Sequence, residues 1–479
     1  MTSHATNLQV EQVDKVRKPA PIDELSIDVF LDIVHLVVDN KPRDVTWVRL
    51  MMVCRSWRAA LRDDPGLWSH IDVARNAHFV DLCLQRSHDR PVHFCNSKWR
   101  AAGFARVLPD NLHRTRSLEI RDHKDTEFRP LLEILSSSCG PQLETLELLL
   151  QSYKGPCLSC TILPTNYPLL RSLSLRRVAI TWTGPVPAGL TNLSLDLTQT
   201  NPSDACMPSE GQLLDIIEAS PGLETLTIQI SEGQLRPIAV RRSPILLSHL
   251  KSFVLSARQE TWISLLSHLT LSETTYLQLT PSGPMAIMDR DHPVSSLFPI
   301  CYQSVLRQAT RAKTLRLCAM SSCFFFKVHV DVEPNPDNGL VAIEYTDVDL
   351  PPALFGPALV DVAELFSASP ITSIVLLGHE GDVGEKDWRR VFCALPHLET
   401  LLPRDYGGLK SLWTVLGSRQ VDGQSVYCPH LRVVRPYSTT LTDTTIAVHV
   451  AQCLRSRAAS GHSLSVPLLE DIVGGAKYD

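Results

Sequence analysis

Apolar residues recur along this chain in two rhythms, one helical and one alternating. Near the N-terminus Val29, Phe30, Ile33, Val34 and Val37 fall at three- and four-residue spacing, with Ser26 where an N-cap belongs and Asp28 in the first turn. This pattern predicts a helix. After a polar link containing Pro42, Asp44 or Thr46 can cap a second helix, with Leu50, Val53, Cys54, Trp57 and Leu61 on one face, ended by Pro65 and Gly66. Trp68 and Ile71 are expected to fold back over the pair. A unit of about fifty residues buries only ~60% of its unfolded surface. This one carries more apolar side chains than two helices hide, so it needs a partner surface. Beyond it, Ala77 to Arg86 reads as a helix and Val92-His93-Phe94 as a strand.

The second rhythm is Leu-x-x-Leu-x-Leu, at Leu143, Leu170, Leu190, Leu223 and Leu250, with weaker copies at Leu340, Ile371, Leu398 and Leu431. Taking the middle apolar position of each copy, and of three partial ones, gives 118, 146, 173, 193, 226, 253, 277, 315, 343, 374, 401 and 434, mostly near the period of a leucine-rich repeat. Pro141, Pro168, Pro221, Pro396 and Pro429 stand five residues before five of these positions, and Pro370 four before a sixth. A proline there ends a helix before the strand begins. Helical segments are expected from Phe128, Gly211, Thr261, Ala358 and Lys386, and over Asp443 to Arg457. No single unit buries its leucines alone, so stacking must supply the core. The expected fold is α/β: an N-terminal helical unit, then an irregular solenoid with parallel strands on the concave side and helices on the convex side. Its long steps, 193 to 226 and 277 to 315, should bulge as loops around Pro202 and Pro293. The Asn that caps the turn in well-formed repeats of this kind is largely missing.

In the helical unit Leu25, Asp28, Val29 and Ile33, then Val53, Cys54, Arg55, Trp57 and Arg58, and finally Leu67, Trp68 and Ile71 stand in an order and spacing that resembles the F-box. Two positions depart: the family's Leu-Pro start is Leu25-Ser26 here, and its usual Glu is Asp28. Both bear on affinity for the adaptor. The resemblance implies a helical module that docks on the Skp-type adaptor of a cullin-RING ubiquitin ligase. The adaptor-binding residues implied are Leu25, Ser26, Asp28, Val29, Ile33, Leu50, Val53, Cys54 and Trp57. The organisation expected is an arm over 1–20, an F-box over 21–71, a linker or first repeat-like unit over 72–110, the repeat domain over 111–465 and a tail over 466–479. The repeat domain would hold a protein substrate. A repeat scaffold capped by a helical hairpin, without a ligase link, is the alternative.

Composition narrows the classes. The chain has 479 residues, 44% hydrophobic and 20% charged, with a net charge of -5 and no basic stripe to bind nucleic acid. Its longest apolar stretch, FLDIVHLVV, is broken by Asp32 and His35, short of the ~20 residues of a membrane span. The first twenty residues lack the apolar core of a signal peptide, and thirteen scattered cysteines fit reduced thiols, so a cytoplasmic or nuclear protein is expected. Cys157 and Cys160 have metal-ligand spacing without a second pair, and Asn192-Leu193-Ser194 is a glycosylation sequon in form only. Gly378-His379-Glu380-Gly381-Asp382 and Asp289, Asp291, His292 read as solvated loops, leaving no catalytic constellation, metal or cofactor site. Residues alternating outward between the buried leucines are polar from Thr145 and Glu147 through Ser172, Ser174, Asn192, Ser194, Thr225, Thr227, Tyr276 and Gln278 to Thr314 and Arg316. They become apolar at Val375, Leu377, Leu402 and Val433. Such a patch is either covered by the chain's own end or meant for a substrate.

Overall fold

The computed structural model of the chain describes residues 25–40, 45–98, 100–151, 157–182, 184–198, 207–230, 243–281, 292–299, 302–320, 325–331, 339–346, 355–377, 383–404, 409–420, 426–435 and 444–466. It divides into two compact units with the boundary between Ser97 and Lys98. The expected arm, the loops around Pro202 and the tail after residue 466 lie outside the described residues.

In the first unit, α1 (Ile27–Asn40) starts as expected. The Ser26 hydroxyl accepts from the Val29 N–H at 3.4 Å, and Asp28 meets the positive end of the helix. The second expected helix is two. A 3-10 helix, Thr46–Met52, is followed by extended backbone at Cys54 (φ -152°, ψ 169°) and then by α2 (Arg55–Asp63). Cys54 is the cap of α2, its Sγ accepting from the Trp57 N–H at 3.4 Å; Thr46 is the first residue of the 3-10 helix rather than its N-cap, and Asp44 lies outside the described residues. Packing explains the break. Trp47 is set edge-on to Trp68 at 5.1 Å while Trp57 lies against Phe30 at 4.3 Å, so the two indoles of this stretch serve different partners. Trp68 is fully enclosed, its indole N–H donating to the Leu61 carbonyl at 2.9 Å and the Arg86 guanidinium lying 4.5 Å over its ring. Then β1 (His70–Asp72), α3 (Ala77–Arg86) and β2 (Val92–Cys95) form a parallel β-α-β unit.

The second unit opens with α4 (Ala102–Asn111), β3 (Thr115–Asp122), α5 (Asp125–Ser137) and β4 (Thr145–Leu150). It continues through β5 (Leu158–Cys160), β6 (Ser172–Arg176), β7 (Val178–Ile180), β8 (Asn192–Asp196), α6 (Glu210–Glu218), β9 (Thr225–Gln229), β10 (Ile245–Leu247), β11 (Ser252–Ala257), α7 (Gln259–Ser267), β12 (Leu269–Leu271) and β13 (Tyr276–Pro281). It ends with β14 (Thr314–Met320), β15 (Phe325–Asp331), β16 (Gly339–Thr346), α8 (Phe355–Leu365), β17 (Ser373–Leu377), α9 (Glu385–Ala394), β18 (Thr400–Arg404), α10 (Leu409–Leu416), β19 (Val433–Val434) and α11 (Thr444–Ala459). The fold is mixed α/β with a large, mostly parallel sheet, in the order β3-β4-β6-β8-β9-β11-β13-β16-β15-β14-β17-β18-β19 within this unit.

The leucine pattern sets the register. Leu118, Leu146, Leu173, Leu193, Leu226, Phe253 and Leu277 stand opposite one another in a single row, buried throughout. The row runs on through Val341, Val330, Leu315, Ile374, Leu401 and Val434. Here the expected order fails. Leu315 does not follow Leu277, and the position opposite Leu277 is Val341 rather than Ile343. Only residues 321–324 separate β14 from β15, whereas a parallel return needs a crossover of about a dozen residues. The chain therefore doubles back, and β15 pairs antiparallel to both β14 and β16.

The prolines act through turns. Leu143, Leu170, Leu223, Leu398 and Leu431 donate their N–H to the carbonyls of Gly140, Tyr167, Ser220, Leu395 and Cys428, closing four-residue turns with proline second. Proline's fixed φ suits that position, and the leucine closing each turn is buried at the foot of the next strand. Helices fill the long connections: α6 begins with a reciprocal capping box between Ser209 and Gln212. Around Pro293 the step does not simply bulge, because buried Asp361 of α8 accepts from the N–H groups of Val294 and Ser295 at 2.7 Å each.

Candidate protein-docking face

Eleven large apolar side chains are exposed among the described residues. Eight of them, Leu25, Ile27, Val29, Ile33, Leu36, Val37, Met52 and Val53, lie in the short span that includes α1 and the 3-10 helix. They are not scattered. On α1, Phe30, Val34 and Val38 turn into the unit's own core, and Val29, Ile33 and Leu36 run along another side of the same helix, with exposed Leu25 just before it. An α-helix buried on one side and apolar on the other is built to be covered on both. Met52 and Val53 are the most exposed on the second element, at 73% and 62%.

The residues assigned to adaptor binding divide. Leu25, Ser26, Asp28, Val29, Ile33 and Val53 are exposed, as a docking role requires. Leu50, Cys54 and Trp57 are half-buried: Cys54 caps α2, and Trp57 packs on Phe30 behind the exposed side chains. Sequence reasoning missed Ile27, Leu36 and Met52. Leu36 follows from the helical period through Val29 and Ile33; Met52 becomes visible only once the 3-10 helix separates it from α2. One ionisable contact fixes α1 to the turn after α2, with His35 Nε2 2.8 Å from Asp64 Oδ2, while Asp64 Oδ1 accepts from the Gly66 N–H at 2.7 Å.

On the second unit the four apolar positions assigned to substrate are less open than their pattern predicts. Val375 is buried at 8% exposure, and Leu377, Leu402 and Val433 are half-buried. Val375 stands between Arg316 and Leu402 on the neighbouring strands, and side chains of that size screen one another. The segment after α11 meets this edge as a further rung, Ser465 bridging to Val433 with its N–H on the Arg432 carbonyl at 2.7 Å. Among the outward polar positions Thr314 is buried, and Glu147 is paired with Arg121.

The remaining candidates are quickly placed. Cys157 and Cys160 are buried; Cys157 Sγ contacts the Leu158 and Arg177 carbonyls at 3.4 Å each, and burial pushes the Cys160 thiol up to about 12. His292 has its Nδ1 3.3 Å from the Asp361 carboxylate, while Asp289, Asp291 and Gly378 to Asp382 lie outside the described residues. Among the described residues there is no group of three or more potential metal ligands, and no helix is long and apolar enough to cross a membrane. No known family model matches the chain, and no curated protein matches it.

Proposed function

We propose that this chain is the substrate-recognition subunit of an SCF-type ubiquitin ligase. The first unit acts as an F-box that binds a Skp-type adaptor, and through it a cullin-RING ligase. The second acts as a leucine-rich-repeat-like solenoid, strands concave and helices convex, that holds a protein substrate. The work is tethering: ubiquitin transfer gains from proximity, with no catalytic residue, metal or cofactor on this chain. The setting is the cytoplasm or nucleus. The observation that carries the reading is the face formed by Leu25, Val29, Ile33, Met52 and Val53, apolar and open in a unit too small to leave such surface idle. All of these but Met52 are among the residues that carry the F-box resemblance.

The test is direct titration of the full chain with purified Skp-type adaptor, followed by a cell-lysate pull-down probed for adaptor and cullin. Binding that is lost in Ile33→Asp and Val53→Asp, with thermal unfolding unchanged, supports the reading. An adaptor that does not bind the unaltered chain rejects it and favours the repeat scaffold without a ligase role.

A further inference from the structure

The same unit carries a charge pattern that its own fold does not explain. Helix α2 has no acidic residue in its first turn; Arg55 and Arg58 stand there, at the positive end of the helix dipole. Arg49 projects from the 3-10 helix three residues before Met52, on the same side in a helix of three residues per turn. All three arginines are exposed. Arg58 is steadied by an Nε–H bond to the Met51 carbonyl at 2.9 Å, whereas Arg49 and Arg55 make no ion pair or hydrogen bond within the described residues. Arg62, two turns along α2, is already engaged with Asp63 at 2.7 Å. The chain as a whole is acidic, at -5, so this basic edge runs against its average. An arginine at the unfavourable end of a helix, without a partner among the described residues and beside exposed Met52 and Val53, is placed for something outside the chain.

We infer that Arg49, Arg55 and Arg58 form a basic rim to the apolar face around Met52 and Val53, and that the surface docking there is acidic, presenting carboxylates opposite these guanidiniums. The inference rests on the adaptor reading and adds the partner's charge to it. Apolar contact holds the complex; the rim sets orientation and speeds encounter. A rim of this kind speeds association at low salt and loses its effect as salt screens it, over a Debye length of about 10 Å at 0.1 M.

The experiment measures association of the full chain with purified Skp-type adaptor across a salt series, for the unaltered protein, R49Q/R55Q and R49E/R55E, with thermal unfolding of each. The expected result is an association rate that falls with salt in the unaltered protein. It should be roughly tenfold lower at low salt in R49E/R55E and nearly salt-independent there, with R49Q/R55Q between and unfolding temperatures equal or higher. Unchanged rates and salt slopes in R49E/R55E, alongside loss of binding in Val53→Asp, overturn the inference and leave the adaptor reading standing. A lower unfolding temperature in R49E/R55E also overturns it, because the arginines then serve the fold. Absence of binding by the unaltered chain removes both.

Discussion

The F-box resemblance implies one face for Ile33 and Trp57, but their surroundings separate them. Trp57 is half-buried against Phe30, so Trp57→Ala should cost about 3 kcal/mol, the low end for truncating an aromatic side chain. Urea unfolding of the first unit would register this. Ile33 is 47% exposed, and Ile33→Ala should shift stability by no more than about 0.5 kcal/mol while weakening adaptor binding by more than 1 kcal/mol. An equal loss of stability in both would place Ile33 inside the core. Arg55 gives the opposite sign. It opposes the dipole of α2, so Arg55→Glu should raise the stability of the unit by about 0.3 to 1 kcal/mol in the same unfolding assay.

Strand pairing in the second unit is held by unequal contributions. Cross-strand ion pairs mark the row just before the paired stretches, with Arg116 to Glu144 at 2.9 Å and Lys251 to Glu224 at 2.7 Å. All four side chains are more than a third exposed, so each pair is worth less than about 1 kcal/mol and serves register more than stability. The buried row decides. Leu146→Ala should cost about 2 to 5 kcal/mol, because Leu118 and Leu173 flank it and little can collapse into the gap. Thermal denaturation would show it. Inserting one polar residue between Leu146 and Leu148 should be worse, since it turns Leu148 and Leu150 of β4 from the core to the other face and breaks the register with both neighbours.

At the scale of the molecule, buried thiols report each unit separately. Burial raises the thiols of Cys83 in the first unit and of Cys160 and Cys428 in the second to about 12, and that of Cys453 to about 11, whereas Cys139 and Cys393 are exposed. The thiolate is the nucleophile, so alkylation at about pH 8 should mark Cys139 and Cys393 in the native chain and leave these four unmodified. With added denaturant Cys83 should label first, because the smaller unit buries less of its surface. Mass spectrometry of the labelled peptides would resolve the order, and simultaneous labelling of Cys83 and Cys160 would make the two units one cooperative body.

Local chemistry wrote much of this fold into the sequence. Ser26 and Asp28 specify where α1 begins, the leucine row specifies which strand residues face one another, and the prolines specify the turns beneath the strands. Each is a choice among few backbone conformations made by residues close in the chain. Of the docking face, the helical period places Val29 and Ile33, while the exposure of Met52 and the withdrawal of Trp57 depend on which indole meets which ring across the unit. The break at Cys54 follows from that competition, and no local propensity encodes it. The doubling back of β14, β15 and β16 was not legible in the leucine repeat, which holds no position for β15, and neither was its place beside β13. Nor was the burial of Val375, which comes from the large side chains on the strands either side. Period and capping fix what a segment becomes; which segments become neighbours depends on packing between residues far apart in the chain, and only the tertiary structure decides that.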